Sequence, residues 1–122
     1  MSTVYLNGAW VPADEATIPV NDRGFLFSDG IYEVTPAYRG HLFRFDRHLA
    51  RLLRGRCELR LEGEVGDLEG IHHELLRRNG LEETPVSTVY LQITRGVAPR
   101  THAFPRELVP LTVFASAKPY AR

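Results

Sequence analysis

Arg100 and His102 stand two residues apart in "TRGVAPRTHAFP", residues 94–105, between Pro99 and Pro105. An arginine presents a planar fork of N–H donors that fits a carboxylate or phosphate in two-pronged fashion, and an imidazole can add a third donor. In extended backbone, residues two apart point to the same side, so both groups can reach one ligand. The flanking prolines lower the entropy lost in holding such a loop ready. The segment therefore reads as an anion trap. Spacing alone leaves open the plainer alternative, a proline-stiffened turn whose polar side chains are solvated.

The other candidates are weaker on spacing. Tyr32 follows the Asp29-Gly30 turn at the start of a strand-like run, which puts its phenol near a sheet end; a buried tyrosine with a satisfied hydroxyl would look the same. Arg51 lies opposite a Leu49, Leu52, Leu53 stripe and reads as the solvated face of a helix. Arg23 and Asp29, in the "DRG" and "SDG" turns, read as fixing loop geometry. His72 and His73 diverge by about 100° on a helix and make a poor metal pair. The sequence contains no H-E-x-x-H, C-x-x-C, G-x-S-x-G or Walker-type glycine loop, so the common metal, acyl-transfer and nucleotide-phosphate motifs are missing.

These residues need a scaffold, and the hydrophobic pattern supplies one. "VYLNGAWVP" is two short strands about Asn7-Gly8, a dipeptide suited to a tight hairpin. "NDRGFLFSDG" is loop with one helical turn, and "IYEVTPAY" is a strand in which Pro36 demands an edge position or a bulge. "RGHLFRF" closes a second hairpin at Gly40. Asp46 is the expected N-cap of a helix whose apolar stripe is Leu49, Leu52, Leu53 and Cys57. A second helix, near residues 66 to 79, gathers Leu68, Ile71, Leu75 and Leu76 on one face and stops at Asn79-Gly80. Two long strands follow, "STVYLQITRG" and "VPLTVFASAK". Strands, two helices, then strands predict an α+β fold, a largely antiparallel sheet with two helices packed on it.

Composition narrows the classes further. At 122 residues the chain suits one domain, which should bury roughly two-thirds of its unfolded surface. Fifteen basic and fifteen acidic residues cancel, so no whole-molecule field favours nucleic acid or an anionic membrane. Fourteen of those basic residues are arginine, and Lys118 is the one lysine. Lone Cys57 excludes an internal disulfide framework and fits a reducing compartment. No apolar run nears the ~20 residues of a membrane helix. The expectation is a soluble cytoplasmic chain.

Taken in order, "YLNG…VP", "IPVNDRGFLFSDGIYEV", "YRGHLFRFDRHLARL" and "VYLQITRGVAPRTHAFP" resemble the N-terminal half of the fold-type IV pyridoxal-phosphate enzymes. The resemblance spans nearly the whole chain. The DRG-x-x-F-x-DG-x-YE block is specific to that superfamily, and the PR-x-H-x-FP loop is most similar to its D-amino-acid (D-alanine) aminotransferase branch. Branched-chain aminotransferases and aminodeoxychorismate lyases share the earlier blocks, and a catalytically inactive binding domain of this fold is a further alternative. Ser28 and Pro36 depart from the usual residues.

By that resemblance Tyr32, Arg100 and His102 bind the substrate α-carboxylate, with the loop crossing from the partner of a homodimer. Arg51 contacts the phosphate of pyridoxal 5'-phosphate, and Glu33 and Val34 line or support the cavity. It also implies that residues 1–117 are an N-terminal domain and that residues 118–122 begin an interdomain linker. The catalytic lysine and the acidic partner of the pyridine nitrogen would then belong to a second domain outside this chain. Lys118 cannot substitute, so the chain alone would be inactive and would bind the cofactor weakly. An isolated domain would expose the apolar face meant for that second domain and tend to self-associate.

Overall fold

Three long strands alternate buried and exposed side chains, and this dictates a sheet with two unlike faces. In the computed structural model, which describes residues 2–120, the elements are β1 (Thr3–Leu6), β2 (Ala9–Pro12), α1 (Arg23–Phe27), β3 (Gly30–Tyr38), β4 (His41–Leu42), α2 (Phe45–Leu59), α3 (Leu68–Arg78), β5 (Ser87–Thr94) and β6 (Thr112–Pro119). They form one six-stranded sheet in the order β2-β1-β6-β5-β3-β4, in which every pairing is antiparallel. The expected α+β architecture, two substantial helices on an antiparallel sheet, is the one observed.

One face is the core. Val89, Leu91 and Ile93 of β5 and Val113 and Ala115 of β6 point toward the helices, where they meet Leu68, Ile71, Leu75 and Leu76 of α3. Each buried aliphatic side chain contributes roughly 1.5–3 kcal/mol. The α3 face is the one the periodicity predicts. Its start is set by Asp67, whose carboxylate accepts from the Gly70 amide, and its end by Asn79 and the left-handed Gly80. His72 is also buried. Its Nδ1–H donates to the Leu68 carbonyl at 2.7 Å, and burial pushes its pKa down, so it packs as a neutral ring against Phe45.

Helix α2 departs from the expected pattern. Leu53 and Cys57 are exposed; Leu49 and Leu52 face the core as expected, and Phe45 and Leu59 join them. The cause is the helix start. Arg44 adopts a left-handed conformation and takes the N-cap position, which reverses the chain after β4 and drives Phe45 inward. Asp46 thus falls inside the first turn, where its charge still complements the helix dipole.

Both hairpins form as expected, with Asn7-Gly8 and Arg39-Gly40 in left-handed backbone at their turns. Pro36 sits inside β3 opposite Thr88. Its carbonyl accepts from Phe43 on the outer flank, and because N and O of one strand residue point the same way, its missing donor faces outward rather than into the β5 ladder. The final strand differs from expectation at both ends: residues 109 to 111 lie outside it, and it runs one residue past Lys118 to Pro119, the two paired with Thr88 and Ser87. Of the segment expected to begin a linker, residues 121 and 122 lie outside the described residues.

Candidate functional site

The loop connecting β5 to β6 is built from its base. Asp22 is buried, and its carboxylate caps α1 by accepting from the Gly24 amide at 2.8 Å. The same carboxylate accepts from the Thr94 hydroxyl at 2.7 Å and the Thr112 hydroxyl at 2.6 Å. One side chain therefore ties α1 to the facing ends of β5 and β6. Gly24 is required there, because a Cβ would lie 2.3 Å from the Thr94 methyl. At the other turn Gly96 has a φ of +97°, and a Cβ would meet the Pro110 carbonyl, so the two ends of the loop pass at backbone contact.

A buried charge cluster continues the anchor. Arg23 is 2% exposed and Arg95 is 8% exposed. Their Nε–H groups donate to the same Asp29 oxygen, at 2.9 and 2.7 Å. Arg23 also donates to the Thr101 carbonyl at 2.8 Å, and Arg95 donates to the Leu59 and Arg60 carbonyls at the end of α2. Burial by itself raises the Asp29 pKa, yet the hydrogen bonds from Arg95 and Arg23 outweigh it and hold the carboxyl below its ordinary value. Arg23 and Asp29 do fix loop geometry, and the loop they fix is the one bearing Arg100 and His102.

Arg100 and His102 are both exposed and come together on one ring. The Arg100 guanidinium carbon is 5.4 Å from the Phe27 centroid, and the His102 ring meets Phe27 edge-on at 5.5 Å. Tyr32 is elsewhere in the same chain. It is 65% exposed on the sheet face opposite the helices and stacks on Tyr90 at 5.8 Å, with Phe114 continuing the row across β6. A single chain thus joins two of the three expected carboxylate donors and holds the third apart.

Arg51 is not merely solvated. Its Nε–H and Nη2–H both donate to the Glu33 carboxylate at 2.7 Å, and the His48 Nδ1 lies 2.7 Å from the same group. Glu33 is on β3 beside Tyr32 but points to the opposite face. Its side chain is 7% exposed while that of Arg51 is 63% exposed. The hydrogen bond from Arg51 lowers the Glu33 pKa, against the opposing effect of burial, and His48 adds to the lowering. Gly30, Ile31, Tyr32, Val34, Leu52 and Gly55 border a cleft of about 530 Å³ with these two side chains. The exposed guanidinium keeps Nη1 unengaged by Glu33 and offers the charge and donors that a phosphate takes. Lys118 lies on β6 opposite Thr88 and borders no part of that cleft. Among the described residues, no group of three or more His, Cys, Asp or Glu side chains is placed to hold a metal.

Glu33→Gln should lower stability by about 1–2 kcal/mol at neutral pH, since a charge-assisted pair becomes a neutral one. The native carboxylate contributes above its ordinary pKa of 4.5, and that contribution is lost as pH falls through the lowered folded value. Urea unfolding at pH 7 and below pH 4 should therefore show the two proteins converging in acid. Equal stability at pH 7 would mean that the pair is held by packing alone.

The chain is similar to known proteins along its whole length. Residues 30–122 match the model of the family described as amino-transferase class IV. The chain belongs to that family. Over 124 residues it is 40% identical to the D-alanine aminotransferase of Staphylococcus haemolyticus, covering 100% of this chain and 43% of that protein. It is 35% identical to the D-alanine aminotransferase of Bacillus licheniformis over 107 residues, covering 88% of this chain and 38% of that protein. The chain thus spans less than half the length of these class IV relatives.

Among solved structures, the branched-chain amino acid aminotransferase from Escherichia coli superposes with a TM-score of 0.83 at 20% identity, covering 98% of this chain and 41% of that one. At that identity the likeness speaks to fold alone. The 4-amino-4-deoxychorismate lyase of Pseudomonas aeruginosa matches with a TM-score of 0.70 at 30% identity, over 95% of this chain and 39% of that one.

Several residues around these side chains escape a reading of the sequence. Arg95, Phe27, Phe104 and His48 carry no local signal, because their partners lie far along the chain. The arginine excess is the available clue: buried or stacked cations favour the weakly hydrated guanidinium over an ammonium.

Proposed function

We propose that this chain is the substrate-anion and phosphate-contact part of a pyridoxal 5'-phosphate-dependent aminotransferase that moves an amino group between a D-amino acid and a 2-oxo acid. The convergence of Arg100 and His102 on Phe27, on a loop tied down by buried arginines, is the observation that carries this reading. Two donors held two residues apart offer three or more N–H groups to one carboxylate. Identity of about 40% to D-alanine aminotransferase along the whole chain favours the D-amino-acid branch.

Pyridoxal phosphate, when bound, supplies the electron sink for amino-group transfer. In this chain Arg51 would hold its phosphate, and Glu33 and His48 keep the Arg51 fork turned toward the cleft. Tyr32 would meet Arg100 and His102 across a homodimer, the loop of one copy completing the pocket that holds the other copy's phenol. That arrangement accounts for both elements being exposed and apart within a single chain. The amine that carries the aldehyde would come from a further domain, since Lys118 does not border the cleft.

The full-length protein, assayed with D-alanine or L-leucine as amino donor and 2-oxoglutarate as acceptor, should turn over D-alanine preferentially. Preference for L-leucine would assign the branched-chain reaction. Pyruvate release from aminodeoxychorismate, without transamination of D-alanine, would assign the lyase reaction suggested by the 30% identical neighbour.

A further inference from the structure

Resting on that reading, we propose that Phe27 is a positioning residue for the anion-binding pair, the ring against which Arg100 and His102 are set before any ligand arrives. Phe27 belongs to α1, outside the loop. Cations flank it twice: the Arg23 guanidinium carbon stands 4.6 Å from its centroid and that of Arg100 stands 5.4 Å away. Phe104 repeats the arrangement with Arg95 at 3.9 Å and Arg23 at 5.9 Å. Cations and rings thus alternate as Arg95, Phe104, Arg23, Phe27, Arg100.

The two buried arginines, Arg23 and Arg95, cannot move freely, because Asp29 holds both and Arg23 also grips the Thr101 carbonyl between the two donor residues. Arg100, at the exposed end, rests against the Phe27 ring. An aromatic face attracts a guanidinium through its quadrupole, while the ring edge-to-face contact sets His102. An aliphatic side chain of similar size fills the same space but offers neither attraction. Arg100 would then swing toward water, and the ligand would have to reorder it on binding.

The test compares Phe27→Leu with Phe27→Tyr. In the full-length protein Phe27→Leu should raise KM for both the amino acid and the 2-oxo acid by about tenfold and leave kcat within about twofold, whereas Phe27→Tyr, which keeps the ring, should restore the wild-type values. In the 122-residue chain itself, nitrogen relaxation of the Arg100 Nε–H should show greater mobility in Phe27→Leu and none in Phe27→Tyr. Phe27→Met replaces the leucine variant if the latter does not fold. Matching KM values and matching Arg100 mobility in the ring-bearing and ring-free variants would overturn the proposal. The relaxation measurement decides the matter even if the protein transaminates nothing, so failure of the aminotransferase reading is distinguishable from failure of this one.

Discussion

Replacing Arg100 with leucine is expected to lower kcat/KM for the amino-acid substrate of the full-length enzyme by roughly a hundredfold to a thousandfold. Losing a two-pronged, charge-assisted bond to a carboxylate in a shielded pocket costs about 3–4 kcal/mol, and each 1.4 kcal/mol is a factor of about ten. Arg100→Lys should recover only part of that loss, because an ammonium keeps the charge but not the planar fork. Stability should scarcely change, since Arg100 is exposed. Steady-state kinetics with D-alanine, alongside thermal unfolding of the same variants, separates the two effects. An Arg100→Leu enzyme within a few-fold of wild type would remove the guanidinium from the pocket.

The second large effect belongs to Asp29. Asp29→Ala should destabilise the chain by about 3–5 kcal/mol, because it strands two buried guanidiniums without a counter-ion. Asp29→Asn, which can still accept from Arg23 and Arg95, should cost less. The sign with pH follows from the direction of the shift. A carboxyl whose folded pKa lies below the ordinary 3.8 contributes stability above that value, and the contribution is lost as pH falls through the lowered one. Urea titrations at neutral pH and in acid should therefore diverge at the first and converge at the second. A neutral-pH loss under about 1 kcal/mol would mean that water reaches the arginines and that the loop is anchored by other contacts.

These effects separate two kinds of residue. In the proposed function Arg100 acts on ligand, from an exposed position. Asp29 acts on the loop's base and should change activity only by releasing the loop. Both stand in segments whose motifs are visible in one dimension, yet what connects them is not. The "SDG" turn and the proline-bracketed loop are some 70 residues apart, and only the pairing of β3 with β5 brings Gly30 opposite Thr94.

The α3 face is legible because Leu68, Ile71, Leu75 and Leu76 repeat at the helical period, and the hairpins because Asn7-Gly8 and Gly40 carry turn chemistry of their own. The α2 stripe is not, at Leu53 and Cys57. Periodicity there fits two overlapping faces, and the choice falls to Arg44, whose left-handed conformation turns Phe45 inward. Arg51 looks solvated for a similar reason: its partner Glu33 is 18 positions earlier, on a strand whose orientation no helical pattern encodes.

By itself, then, the chain's order of residues determined the antiparallel α+β scaffold, through local periodicity and turn propensity, and the family motifs; functional-group chemistry singled out Arg100 and His102 as candidate donors, while Tyr32 and Arg51 entered only through the family resemblance. Tertiary structure alone decided that Asp29 would gather Arg23 and Arg95, that Phe27 would face Arg100 and His102, and that Tyr32 would stand apart from both. Such placements depend on strand pairing and on the burial of charge, which are settled between distant segments only when the chain closes on itself.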